Sequence, residues 1–508
     1  MSAFFSFIRE TFEAVFRNIG RFFVTIFADP WINTGSDFSE YGLIFSTYRV
    51  GFGVGGWILY VIFIVLLFAF LASMGYFIYY VVRKAIVFNN RRVSKERLME
   101  EVQKLNKELF LAVQEKNEIL KLKAESFGIA PEGKGGDLAE NERRVMEAFP
   151  KLGAIDKKYA GVDTTIVIPP SDIGLSLEAL VNRFQKFAAS QLGLHYDLHV
   201  IRTMFSAMGT TKFIILEGIS GTGKTSLPYA IGKFFKRDVT ICSVQPSWRE
   251  RTEMLGYFNE FTKKFNETEF LRALYEASYR KDNNIIILDE MNLARVEYYF
   301  ADFLSIMEMP VHSEWKIEVT RTADNMNPKM LEGGKLLINQ NIWFVGTANN
   351  DDSTFTITDK VYDRAISITL NDKGDTVDTE YTEGVSLPYE NLAKLYEQAL
   401  SNFPIGKTNL AKFEKLDQFV ASKFRIAFGN RIQKQMRAFT ANFVACGGKE
   451  LDALDFIFSS KVLKKFTSLN LAFMHDELND LSSELDKLFG KGTFWQSQRV
   501  ISDYLKIS

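Results

Sequence analysis

The chain has 508 residues, with 61 basic side chains against 62 acidic ones and a formal net charge of −1. That length holds two to four domains, and the even charge balance excludes a global field drawing the chain to nucleic acid. Cys242 and Cys446 are the only cysteines, which argues against a disulfide framework or a zinc site.

In the N-terminal region, residues 1–50, the segment 4–27 places Phe4, Ile8, Phe12, Val15, Phe16, Ile19, Phe23 and Ile26 at helical spacing. Arg9, Glu10, Glu13 and Arg17 lie opposite. The pattern predicts an amphipathic helix, and its charges interrupt any run apolar enough for a cleavable signal. Two placements stay open: flat in the membrane interface, or packed on the transmembrane segments of other subunits. From 51 to 82 no residue is charged, and 57–82 is apolar enough to cross a bilayer as one helix, within a segment spanning 51–84. Trp57 and Tyr60 at one end, and Tyr76, Tyr79 and Tyr80 at the other, fit interfacial aromatic belts. Arg83, Lys84, Arg91, Arg92, Lys95 and Arg97 follow at once, whereas Arg9, Arg17, Arg21 and Arg49 are spread over a longer stretch. The positive-inside rule then puts the C-terminal bulk in the cytoplasm. The expectation is a single-pass membrane protein, with a bacterial inner membrane as its setting.

Residues 85–127 read as a helical stalk. Leu98, Val102, Leu105, Leu109 and Ala112 alternate steps of four and three before Lys116 breaks the seam. A short coiled coil and a helix packed back on the body of the protein both fit that pattern. The Gly-rich stretch 128–137 is a flexible linker by composition. It opens a region, 128–189, of linker and helical pre-domain, in which Pro169-Pro170 precedes a helical pattern at 177–191.

The apolar run Phe213-Ile214-Ile215-Leu216 then leads into Gly218-Ile219-Ser220-Gly221-Thr222-Gly223-Lys224-Thr225, with Ser226 next. Buried strand, Gly-rich loop and helix, in that order, are the context a phosphate-binding P-loop needs. The three glycines let backbone N–H groups wrap the phosphates, Lys224 brings a point charge to the same oxygens, and the Thr225 hydroxyl suits a Mg²⁺ ligand. These residues predict a nucleoside triphosphate site. A second apolar run, Ile285-Ile286-Ile287-Leu288, ends in Asp289-Glu290. Asp289 suits the water shell of Mg²⁺ and Glu290 the polarising of the attacking water. Trp343-Phe344-Val345 runs into Gly346-Thr347-Ala348-Asn349, whose terminal amide suits orientation of that water. Asp363-Arg364 and Gly429-Asn430-Arg431 follow. An arginine offsets charge gathering on the γ-phosphoryl oxygens, although Arg364 taken alone reads equally well as a surface ion pair. His195 and His199 stand four apart around Asp197, but no third metal ligand accompanies them, so packing suits them better than a metal.

The series Gly-x4-Gly-Lys-Thr, Leu-Asp-Glu, Gly-Thr-Ala-Asn, Asp-Arg and Gly-x-Arg resembles the AAA+ ATPases over roughly residues 190–470. Within them it is most similar to the branch of MoxR-type ATPases and the NTPase subunit of the McrBC restriction system, on the run Asp289-Glu290-Met291-Asn292-Leu293-Ala294-Arg295. The resemblance implies Walker A at Lys224 and Thr225, Walker B at Asp289 and Glu290, and sensor 1 at Asn349. It further implies an arginine finger at Arg364 that completes a neighbour's site, sensor 2 at Arg431, and hence a ring, usually of six subunits. It also implies a helix-2 insert at 252–265 and a pre-sensor-1 hairpin at 308–339. In the insert, Tyr257, Phe258 and Phe261 either grip a polymer in the pore or pack on the core. The GTP-using restriction subunit carries Met-Asn-Thr-Ala-Asp-Arg near sensor 1, where this chain has Gly-Thr-Ala-Asn-Asn-Asp-Asp. That departure favours ATP.

The expected fold is thus α/β: a P-loop AAA+ core at 190–375 with a parallel αβα sheet, and an α-helical lid at 376–508. The expected activity is Mg²⁺-dependent ATP hydrolysis coupled to remodelling of a protein or complex at the cytoplasmic face. Two rivals stand beside it: an NTPase motor of a defence system acting on nucleic acid with a separate nuclease, and a nucleotide-gated scaffold.

Overall fold

The computed structural model describes residues 7, 9–18, 34–67, 69–70, 72–77, 145–320, 327–349, 354–371 and 374–507. The chain divides into two compact units, Met1–Pro131 and Glu132–Ser508. The expected stalk, the 128–137 linker and the basic cluster that follows the apolar span lie outside the described residues.

In the first unit, residues 9–18 are helical and a second helix runs Thr34–Tyr48. A third, Val54–Phe77, is long and apolar enough to cross a membrane, with a mean hydropathy of 2.7. The described part of the amphipathic start makes contacts with the chain's own helices. Arg17 Nη2 bonds Glu40 at 2.6 Å, and Tyr48 Oη donates to Glu10 at 2.7 Å. Phe7 meets Phe52 and Phe63 edge-on at ring distances of 5.5 and 6.1 Å. The buried face is not the predicted stripe: Phe7, Thr11, Ala14 and Asn18 are buried, while Phe12 and Phe16 of the stripe are exposed.

Ten strands are described in the second unit. They are β1 Phe213–Gly218, β2 Thr240–Ser243, β3 Gly256–Asn259, β4 Lys264–Glu267, β5 Asn284–Asp289, β6 Lys316–Glu318, β7 Leu331–Glu332, β8 Lys335–Leu337, β9 Ile342–Asn349 and β10 Ile366–Thr369. Five of them form one parallel sheet in the order β10-β1-β9-β5-β2. Its central strands are continuous apolar runs because both faces are covered. Alternate side chains go to opposite layers. Ile214, Leu216, Ile285, Ile287, Trp343 and Val345 enter one core, and Phe213, Ile215, Ile286, Leu288, Ile342 and Phe344 the other.

The first core is covered by helices Leu177–Leu192, Leu198–Thr210 and Ser226–Phe234. Ser176 and Asp197 cap the first two, accepting the N–H of Ala179 and of His199. Helix Leu177–Leu192 therefore belongs to the body, with Phe184 on Phe205 and Phe234, rather than to a separate pre-domain ending at 189. The same holds on the other face for helix Pro150–Tyr159, whose Asp156 accepts from Tyr279 Oη at 2.6 Å. The C-terminal part is helical from Tyr389–Asn402 to Trp495–Ile507, and helix Asn430–Ala445 lies along Leu198–Thr210. Strands β3 and β4 pair as an antiparallel hairpin across the expected insert at 252–265: Phe258 packs inward, while Tyr257 and Phe261 are exposed. Strands β6, β8 and β7 make a small antiparallel sheet within 308–339.

Candidate nucleotide site

Strands β1, β5 and β9 end side by side, and each ends in a residue singled out from the sequence. Gly218 is in register with Asn349, and Leu288, just before Asp289, with Gly346. The turn after β1 needs its glycines. Gly218 has φ +139°, and a Cβ there would lie 2.2 Å from the Leu370 carbonyl oxygen; Gly223 has φ +88° and faces the Tyr196 ring. Lys224 is buried and donates to the carbonyls of Gly218 and Ile219 at 2.9 and 2.7 Å. Ser220, Gly221 and Thr222 form the exposed tip of the loop, where Thr222 Oγ1 donates to Ile219 O at 2.9 Å. Ser226 opens the helix that follows.

The acidic half is tied to the loop directly. Thr225 Oγ1 donates to Asp289 Oδ1 at 2.8 Å, and Thr347 Oγ1 donates to the same oxygen at 2.8 Å. Thr347 in turn accepts the Glu290 N–H at 2.9 Å. Glu290 stands at φ +52°, a left-handed conformation that carries strain in a non-glycine residue and breaks the strand at the carboxylate pair. Asn349 Nδ2 reaches Glu290 Oε1 at 3.4 Å. Asn292 holds the backbone of Asn349, donating to its carbonyl at 2.8 Å and accepting its N–H at 3.4 Å. Thr347 and Asn292 both stood inside motifs read from the sequence, yet neither was assigned a task. Their signal was a hydroxyl two residues before Asn349 and an amide two residues after Glu290.

A cleft of about 690 Å³ adjoins the loop. Its walls include Asp197, His199, Glu217, Leu370, Trp495 and Arg499. Tyr196, beside Gly223, has a buried hydroxyl with no hydrogen-bond partner among the described residues, and burial drives its pKa upward. His199 is half-buried, and that desolvation lowers its pKa. The residues present fit a magnesium nucleotide. Two hard oxygen donors, Thr225 and Asp289, lie together, a cation stands in the glycine loop, and an orphaned hydroxyl lies beside Gly223.

The two arginines fall elsewhere. Arg364 lies just before β10, and its carbonyl accepts Thr211 Oγ1 at 3.2 Å, just before β1. That is the amino edge of the sheet, roughly 20 Å of strand from the P-loop at about 3.3 Å per residue. Arg364 Nη2 pairs with Glu308 at 3.1 Å, and Arg431 Nη2 pairs with the other oxygen of Glu308 at 2.5 Å. The expected sensor 2, Arg431, shares Glu308 with Arg364 in one patch.

No family model and no curated protein matches the sequence. Among solved structures, a presumed ATPase from Cytophaga hutchinsonii aligns over 63% of this chain and 88% of its own, at 12% identity and a TM-score of 0.37. A full-length MCM homolog from Methanopyrus kandleri aligns over 58% of this chain at 10% identity and a TM-score of 0.33; the chain spans 63% of its length.

Proposed function

We propose that this chain is a membrane-anchored ATPase of the AAA+ type that works as a ring and remodels a protein or complex at the cytoplasmic face. The observation behind the reading is the meeting of Lys224, Thr225, Asp289, Glu290 and Asn349 where three parallel strands end, with Thr225 and Asp289 bonded to each other at 2.8 Å. Gly218–Ser226 would cradle the phosphates, with Lys224 adding charge. Thr225 and Asp289 would hold Mg²⁺, which supplies charge neutralisation at the β- and γ-phosphates when bound. Glu290 would take the proton of the attacking water, with Asn349 fixing that carboxylate. Arg364 would act on a neighbour's nucleotide, since its own P-loop lies at the far edge of the sheet. Arg431, sharing Glu308 with it, would serve the same interface. The span Val54–Phe77 supports the membrane anchor. The exposed Tyr257 and Phe261 support contact with a client.

Replacing Glu290 with Gln keeps the shape and removes the base. The expected result is ATP binding at wild-type affinity with turnover lowered about 10²- to 10⁴-fold. A variant as active as wild type would mean that Glu290 is not the catalytic carboxylate. Capture of the Glu290→Gln ring from membranes then reads the client, and a nuclease or DNA in the eluate, rather than a protein substrate, would overturn remodelling.

A further inference from the structure

The segment 458–468 makes one π turn, Phe458–Val462, followed at once by a 3₁₀ stretch, Leu463–Ser468. Such departures from α geometry are uncommon and gather at functional positions. Here the change of pitch sends Phe458, Val462, Leu463 and Phe466 into the core and turns Lys461, Lys464 and Lys465 toward the sheet.

Lys461 is buried, and its ammonium donates to three carbonyls: Tyr362 at 2.7 Å, Asp363 at 3.4 Å and Ala365 at closer range. These carbonyls flank Arg364 on both sides. An ammonium has three donors and no acceptor, so three convergent carbonyls use its full capacity. Lys465 pairs with the Asp363 carboxylate at 2.8 Å, and Gln435 Nε2 reaches the Asp363 carbonyl at 3.4 Å. The backbone that carries Arg364 is therefore gripped from the C-terminal helical part, while Glu308 and the Lys360 carbonyl hold its guanidinium. Lys464, one turn further on, bonds Glu217 and Ser367 and lies 3.8 Å from the Tyr362 ring centroid. Glu217 is the residue of β1 immediately before the P-loop glycine, so one short segment touches both the strand that carries the P-loop and the loop that carries Arg364.

We propose that Lys461, assisted by Lys465, is a positioning residue that sets Arg364 for the neighbouring subunit's phosphates, and that Lys464 couples this setting to the strand leading into the chain's own P-loop. The inference rests on the reading of Arg364 as acting in trans. It makes the helical part a device that reports the state of one nucleotide site to the next, with the π turn as its fulcrum. A buried cation costs free energy unless its partners are in place, which ties Lys461 to one arrangement of residues 362–365.

The test is a mutant cycle on the full chain in detergent, reading kcat and KM for ATP in Lys461→Met, Arg364→Ala and the double variant. Loss of alignment predicts that Lys461→Met lowers kcat about ten- to a hundredfold, with KM unchanged. It also predicts no further loss when Lys461→Met is added to Arg364→Ala, because the group being positioned is already gone. Lys461→Arg, which keeps the cation, should recover part of the rate. Lys465→Ala, whose partner pair is less deeply buried, reads the same cycle if Lys461→Met does not fold. Fold losses that multiply in the double variant, or a raised KM at unchanged kcat, overturn the proposal. Wild-type turnover in Arg364→Ala overturns instead the trans reading on which it stands.

Discussion

The two edges of the parallel sheet are built on different plans. At the carboxyl edge, the groups that fit a magnesium nucleotide are the last residues of adjacent strands, so strand pairing alone brings Asp289, Glu290 and Asn349 beside the P-loop. At the amino edge, Arg364 pairs with Glu308, which Arg431 shares, and its backbone and flanking Asp363 are held by Lys461 and Lys465, so the groups arrive from three separate segments. The first edge is set by secondary structure and tolerates little movement. The second depends on how the helical part sits, and so can respond to it. A machine that binds at one edge and completes its neighbour's site from the other needs this asymmetry.

The contrast breaks most visibly at Arg364. Its replacement by Ala should lower turnover about 10³-fold or more while leaving nucleotide binding by the same subunit intact. Weakened binding in that variant would place Arg364 at its own site and erase the distinction between the edges. A smaller effect is expected at Thr347, which links Asp289 to the Glu290 backbone. Thr347→Val keeps the shape, leaves the part-buried Glu290 N–H without its acceptor, and should cost about 1 kcal/mol of stability. It should also raise the Mg²⁺ concentration needed for half-maximal turnover; an unchanged Mg²⁺ dependence would remove Thr347 from the site.

Much of the carboxyl edge was legible because each of its motifs is a contiguous run on one strand. Phe213–Lys224 and Ile285–Glu290 can be read without knowing which strands are neighbours. The amino edge was not legible. The sequence places Arg431 in a helical region but does not show that Glu308 pairs with both it and Arg364. Lys461 looked like one of many charges in a helical tail, since a π turn has no composition signature. Helix Leu177–Leu192 was legible as a helix, but its docking through Phe184 depends on Phe205 and Phe234, which no local pattern reveals. The N-terminal helix showed its stripe but not its partner, Phe63 of the chain's own apolar span.

The smallest effect concerns pH. Burial pushes Lys461 down to about 7, with Asp363 drawing it back up and Lys464, Lys465 and Arg431 adding to the depression. An unfolded chain keeps its lysines protonated to about 10.4. Between those values the unfolded state binds the extra proton, so stability rises with pH, and below about 7 the full cost of the buried charge is present. Lys461→Met lacks that contribution. The wild-type thermal midpoint should rise relative to that of Lys461→Met from pH 6.5 to 9, and parallel profiles would mean that the folded chain keeps Lys461 protonated and would contradict its lowered pKa.

The most direct measurement mixes two inactive proteins, Arg364→Ala and Glu290→Gln, at equal amounts and follows ATP turnover. If each site is made by Glu290 of one subunit and Arg364 of the next, about a quarter of the interfaces in mixed rings regain both groups, and turnover rises well above either protein alone. Turnover that stays at the level of the separate variants, in rings shown to exchange subunits, would mean that both residues serve the same subunit, and the account of the two edges would fail.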